Sequence, residues 1–322
     1  MSDDRDLSLI ERAVGRMGTR PKAVTQPETT AAPPPPVIER EAAQSTQAPS
    51  EPPPSPADPS PPPPAANGRS ESPVFPFDLQ RLKAEGCITP DTGRSRLAEE
   101  YRMIKRPILI NAFGKGAALV PDGNMIMVTS TYPGEGKTFT AVNLAMSITQ
   151  EMDKTVLLVD ADVGRSRIHR MLGTPDSPGL MDVLLDDNLD MADAMVRTSI
   201  SNLRVLPKGR AHPRATELLA SNAMAELTRE MANRYPDRIV IFDSPPLLIT
   251  SEAVVLASHM GQIVFVVEAN QTSQGAVKEA LALLDDSKPI GLVLNKARRI
   301  MTSDYYGYGS YSSYHPVADE VK

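Results

Sequence analysis

The chain carries Pro133-Gly134-Glu135-Gly136-Lys137-Thr138 between an apolar run, Met125–Val128, and a helical pattern that starts near Phe139. Strand, glycine loop and helix in that order make a phosphate-binding loop. The glycines let backbone N–H groups turn towards phosphate oxygens, and the helix N-terminus adds partial positive charge. Gly134, Glu135, Gly136, Lys137, Thr138 and Phe139 are therefore the expected nucleotide contacts. Lys137 reaches the β- and γ-phosphates of ATP, and the Thr138 hydroxyl ligates Mg²⁺. The strict G-x-x-x-x-G-K-T pattern is broken at its first position, which is Thr131. Asp160 and Asp162 close a second apolar run, and Asp243 closes a third. Carboxylates at adjacent strand ends can hold the waters that Mg²⁺ keeps. One aspartate at a strand end is as readily a turn former; three beside a phosphate loop point to a metal and to catalysis by Lys137, Asp160, Asp162 and Asp243. Near the C-terminus stand Tyr305, Tyr306, Tyr308, Tyr311 and Tyr314, five of the eight tyrosines, set in glycine and serine. Phenol rings in such a matrix have nothing to pack against. Nucleotide chemistry and a tethered set of acceptor hydroxyls together point to tyrosine phosphorylation within the protein.

The elements that must position these groups alternate. Short, mostly apolar stretches at Met125–Val128, Val156–Val159, Leu203–Leu206, Ile239–Phe242, Ile263–Val267 and Ile290–Leu294 read as strands. Arg96–Arg106, Phe139–Gln150, Ala215–Tyr235 and Ala276–Leu284 read as helices, with Pro107 ending or kinking the first. Unalternating strands separated by helices predict an α/β fold, a mostly parallel sheet with helices on both faces. Ligands in such sheets sit at the carboxyl ends of strands, where the three motifs fall. His169 and His212 show no metal-ligand spacing.

Eighteen of the 31 prolines lie between Pro21 and Pro76, in runs such as Pro33–Pro36 and Pro61–Pro64. That stretch has too little apolar surface to offset ordering entropy and reads as a disordered polyproline II spacer. Ahead of it, Leu7, Ile10, Val14 and Met17 share one face of a short amphipathic helix. Four regions follow: residues 1–20 as a docking helix, 21–78 as a proline-rich linker, 79–300 as the catalytic domain and 301–322 as a flexible tail. A net charge of −6 gives no general attraction to nucleic acid. A single cysteine, Cys87, excludes an internal disulfide and a multi-cysteine metal site. No apolar run approaches the roughly 20 residues that span a bilayer, and the N-terminus has no secretory core. The expectation is a cytoplasmic protein that reaches the inner membrane through a partner, without inserting directly.

In sequence, PGEGKT, VLLVDAD, IVIFDSPPL and the tyrosine-rich tail resemble the bacterial tyrosine kinases of capsule and exopolysaccharide systems, in the form whose cytoplasmic kinase is separate from its membrane activator. The resemblance runs from about Arg94 to the C-terminus. It implies a P-loop NTPase-like fold, use of ATP and Mg²⁺, and autophosphorylation of the tail between subunits of a homo-oligomer. It also implies control of polysaccharide polymerisation or export, a transmembrane chain-length-determinant-type activator and a cognate tyrosine phosphatase. By resemblance, Asp160 and Asp162 handle metal and acceptor hydroxyl, Asp243 supports Mg²⁺ through water, and Asn295 contacts the purine. The family's oligomerisation helix is matched by Glu99, Arg102 and Lys105, where the last member is usually Arg; Lys lacks the planar fork. The usual Arg two residues after the second Asp is replaced by Gly164, with Arg165 one place late. Two other readings remain open: a localisation or partition ATPase of the same superfamily, which typically carries an extra Lys where Tyr132 stands here, and a nucleotide-switched scaffold of the polysaccharide machinery.

Overall fold

The computed structural model describes residues 73–116 and 119–297. The helix expected around residues 7–17, the proline-rich stretch up to residue 72 and the five tail tyrosines lie outside the described residues. The strands are β1 Val74–Phe75, β2 Met125–Ser130, β3 Thr155–Asp160, β4 Val196–Thr198, β5 Leu203–Leu206, β6 Arg238–Asp243, β7 Gln262–Glu268 and β8 Ile290–Asn295. They form one sheet in the order β1-β4-β5-β3-β6-β2-β7-β8. Every neighbouring pair is parallel except β4 with β5.

The helices are α1 Leu79–Ala84, α2 Arg96–Phe113, α3 Lys137–Ile148, α4 Ile168–Leu172, α5 Leu180–Leu185, α6 Met191–Ala194, α7 Ala215–Leu219, α8 Asn222–Arg234, α9 Ser251–Ser258 and α10 Gln274–Leu281. Alternate strand residues feed two cores, as the two-residue period of a strand requires. Ile126, Val128, Val156, Leu158, Ile239 and Ile241 pack with α1 to α4. Met125, Met127, Leu157, Val159, Val240 and Phe242 pack with α5 to α10. Burial on both faces explains why these runs read as continuous apolar stretches. The sheet class expected from sequence is the one observed.

Several expected boundaries are corrected. Pro107 neither ends nor interrupts α2, which continues to Phe113. Proline has no N–H to give the Met103 carbonyl, and Met103 is 68% exposed, so water can take that place. Tyr101, Lys105 and Ile108 hold the helix down on both sides of the proline. The single helix expected over Ala215–Tyr235 is two. Ser221 is extended, donates its hydroxyl to the Leu218 carbonyl at 2.7 Å and accepts the Met224 N–H at 3.3 Å. It stops α7 and caps α8 in one residue. The linker expected to run to residue 78 ends earlier, because Val74–Phe75 joins the sheet edge beside β4.

Candidate nucleotide and phosphotransfer site

β2 and β6 are register partners through Val128 and Asp243, and β3 and β6 through Asp160 and Asp243. Central strands thus deliver the phosphate loop and both strand-end aspartates to one edge of the sheet. The loop turns into α3 at Gly136, whose φ of 99° is left-handed, and no side chain caps the helix. The N–H groups of the first turn have no intrahelical acceptor, which is the arrangement that receives a phosphate. A Cβ at Gly136 would stand 2.0 Å from Asn295 Nδ2. Close approach and backbone angle both demand glycine here.

Glu135 holds the loop closed rather than facing outward. It is 2% exposed. Its Oε2 accepts the Tyr132 N–H at 2.8 Å, and its Oε1 accepts the Thr272 hydroxyl. Asn295, at the end of β8, donates Nδ2 to the Glu135 carbonyl at 2.8 Å. The Phe139 ring packs beside the α2-side core. What Glu135 and Phe139 can offer a phosphate is therefore backbone N–H. Gly134 lines the cleft at the loop's mouth.

Lys137 and Asp162 form a buried pair, Nζ to Oδ2 at 2.8 Å, with each side chain 8% exposed. Asp160 accepts the Ser166 hydroxyl through Oδ2, while its Oδ1 is buried without a partner. Both Asp243 oxygens and the Thr138 hydroxyl are likewise buried and unpartnered. Burial pushes the Asp243 carboxyl up to about 7, with the Lys137 charge opposing and the Asp160 charge adding. Burial also pushes Asp160 up to about 6, against the Ser166 hydrogen bond and with help from Asp162.

Buried oxygens left without donors are costly unless a cation or water meets them. Hard oxygen ligands fit Mg²⁺, so Thr138, Asp160 and Asp243 suit it. Among the described residues no three acidic or imidazole groups converge as direct ligands. The carboxylates therefore fit an ion that keeps its waters, with Thr138 as the hydroxyl nearest the loop. Asp162 is committed to Lys137 in this arrangement.

The cleft beside Lys137, about 190 Å³, is lined by Pro133, Gly134, Asp162, Arg165 and Arg167 on one side and by Pro245, Pro246 and Ile249 on the other. A larger hollow of about 730 Å³ lies elsewhere, along α2 and the end of α3, among Glu99, Arg102, Arg106, Ile110 and Glu151. It contains none of the phosphate-loop residues. The row expected on α2 is split there. Glu99 and Arg102 pair on the surface. Lys105 is 6% exposed and turns inward, with Nζ 2.6 Å from the Ser147 carbonyl and 2.6 Å from Glu151 Oε1. The Glu135–Thr272 and Asp160–Ser166 contacts were not legible in the sequence, because neither residue type nor spacing marks a partner 137 residues away or one inside the following loop.

Residues 123–288 match the family described as an AAA domain. The tyrosine-protein kinase YwqD of Bacillus subtilis (strain 168) is 34% identical over 220 residues, covering 67% of this chain and 88% of that one. The putative tyrosine-protein kinase CapB of Staphylococcus aureus is 29% identical over 233 residues, covering 70% of this chain and 97% of that one. Among solved structures, the chimerical protein CapA2B2 is similar with a TM-score of 0.58 at 26% identity, covering 70% of this chain and 95% of that chain.

Proposed function

This chain belongs to the bacterial tyrosine-protein kinase family, and from that premise we propose that it transfers the γ-phosphate of ATP to tyrosines of its own C-terminal cluster, Tyr305, Tyr306, Tyr308, Tyr311 and Tyr314. The observation that carries the reading is the buried Lys137–Asp162 pair at the mouth of the phosphate loop, beside oxygens of Thr138, Asp160 and Asp243 that lack donors.

Phosphoryl transfer is mostly positioning and charge stabilisation. The N–H groups of the first turn of α3 bind the phosphates, and Lys137 leaves Asp162 to meet the β- and γ-oxygens. Asp162, released and lining the cleft, takes the proton of the incoming phenol as its oxygen bonds to the γ-phosphorus and the bond to ADP breaks. A tyrosine hydroxyl has a pKa near ~10 and is mostly protonated at neutral pH, so a positioned carboxylate contributes about 10²–10⁴-fold. Mg²⁺, held by Thr138 and through water by Asp160 and Asp243, would supply charge neutralisation on the phosphates. Asn295, fixed against the loop, contacts the purine.

The same reading includes a homo-oligomer in which one subunit's tail enters another's cleft, a transmembrane chain-length-determinant-type activator, and a phosphatase that resets the tail. Its output is the polymerisation or export of a capsular or extracellular polysaccharide. No helix among the described residues is long and apolar enough to cross a membrane; in this reading the membrane role runs through that activator. Each phosphate adds roughly −1.5 to −2 charges, and several on one tail would loosen the oligomer that holds it.

Mixing two partners, neither able to modify itself, tests the transfer. A Lys137→Met chain supplies the tail, and a chain with all five tail tyrosines changed to Phe supplies the catalyst. Phosphate on the tail of the Lys137→Met chain is expected. Its absence, with ATP hydrolysed, would favour a nucleotide-switched scaffold.

A further inference from the structure

The cleft has a second character beyond phosphate binding. Its β3-side wall carries Arg165 and Arg167, both exposed. Their side chains meet no carboxylate among the described residues. Both are held by backbone alone: the Arg165 N–H donates to Asp162 Oδ1 at 3.1 Å, and the Arg167 carbonyl accepts the Met171 N–H at 2.8 Å. The β6-side wall is apolar, with Pro245, Pro246 and Ile249, and Ile249 is 56% exposed. Glu252 also stands on that wall, its Oε1 accepting the Thr216 hydroxyl at 2.9 Å. An apolar wall suits an aromatic ring, unspent guanidiniums suit an anion, and Glu252 repels an anion from the wrong side.

We propose that this rim selects the acceptor: the tyrosine ring lies on Pro246 and Ile249 while a carboxylate next to it in sequence meets Arg165 and Arg167. The proposal rests on the tyrosine-kinase reading above and gives the tail an order. Of the five tail tyrosines only Tyr305 has an acidic residue beside it, Asp304. Tyr305 is the first acceptor. Once phosphorylated it supplies an adjacent dianion to Tyr306, which follows. Tyr311 and Tyr314, flanked by serine and histidine, come last. The transfer balances as for any phenol: the oxygen gains the phosphoryl group, ADP leaves, and the proton goes to the cleft carboxylate.

Peptides covering residues 301–314, with Asp304 or with Asp304→Asn, are phosphorylated by the full chain whose own tail tyrosines are Phe, with KM for peptide and for ATP measured separately. The Asp304→Asn peptide is expected to show a KM raised roughly three- to tenfold, as for a partly exposed charge-assisted contact. Arg165→Ala/Arg167→Ala in the enzyme should remove that difference and leave the KM for ATP unchanged. Arg165→Glu/Arg167→Glu should reverse it, favouring an Asp304→Lys peptide. Equal KM values for the first two peptides, or an arginine effect confined to ATP, overturns the proposal while leaving the kinase reading standing. No transfer to either peptide while ATP is hydrolysed removes both.

Discussion

Lys137 Nζ lies 2.8 Å from Asp162 Oδ2, so the cation proposed to meet phosphate and the carboxylate proposed to meet the acceptor neutralise each other. Breaking such a pair on one side leaves an uncompensated buried charge. On the proposed mechanism, nucleotide phosphates replace the Asp162 carboxylate as partner of Lys137, and Asp162 becomes free to accept a proton only once ATP is seated. That mechanism couples binding and proton acceptance through one contact.

Asp162→Asn separates the two roles. Nucleotide affinity should be kept or rise, since Lys137 no longer has to leave a carboxylate, while tyrosine phosphorylation falls by about 10²–10⁴-fold. Equilibrium binding of a fluorescent ATP analogue and single-turnover phosphorylation read them apart. Unchanged phosphorylation would exclude Asp162 as the proton acceptor.

Asp243 is destabilising without a cation. Its folded pKa is raised to about 7, whereas an unfolded aspartate titrates near 3.9. The folded state therefore holds the proton more tightly, and stability is lost as pH rises between those values. Asp243→Asn should gain little at pH 4 and about 2–4 kcal/mol above pH 7 in metal-free buffer. Thermal unfolding across pH 4–8 checks the sign; a gain largest at low pH would contradict it.

Gly136→Ala meets two obstacles, the φ of 99° and the Asn295 side chain 2.0 Å from the new Cβ. Nucleotide binding should be lost, with a stability cost of roughly 1–3 kcal/mol. Adding Asn295→Ala removes the clash and leaves the backbone strain, so rescue of stability should be partial. Full rescue would show that crowding alone demands the glycine.

Lys105 and Arg102 should separate stability from assembly. Lys105→Ala removes a buried cation from the Ser147 carbonyl and from Glu151, and should cost about 1–3 kcal/mol. Arg102→Glu alters only the surface row and should change oligomer size with little change in Tm. Sedimentation velocity and thermal unfolding of both variants suffice; an assembly defect in Lys105→Ala without a Tm change would return Lys105 to the interface.

Much of this was legible in the sequence because it depends on local residue types. A strand buried on both faces needs a nearly continuous apolar run, so the inner strands β2, β3, β6 and β7 announced themselves. The glycine loop and the strand-end aspartates are marked by composition. Harder to see were features settled by a distant partner. Pro107 passes through α2 because the helix is pinned by packing on either side. Ser221 breaks a run of good helix formers with one hydroxyl. Val74–Phe75 and Val196–Thr198 are too short to show a period and exist as strands only because the sheet edge receives them. Lys105 falls on the charged stripe of α2 by spacing and turns inward, where the Ser147 carbonyl and Glu151 receive its ammonium.

Peptide-level mass spectrometry of the purified chain after incubation with ATP and Mg²⁺, with the cytoplasmic segment of the proposed activator added, tests the transfer most directly. Lys137→Met and the chain with five tail tyrosines changed to Phe stand as controls. Phosphate on Tyr305–Tyr314 in the wild type, and on neither control, is the predicted result. ATP hydrolysis with an unmodified tail would contradict it and leave a nucleotide-switched scaffold in its place.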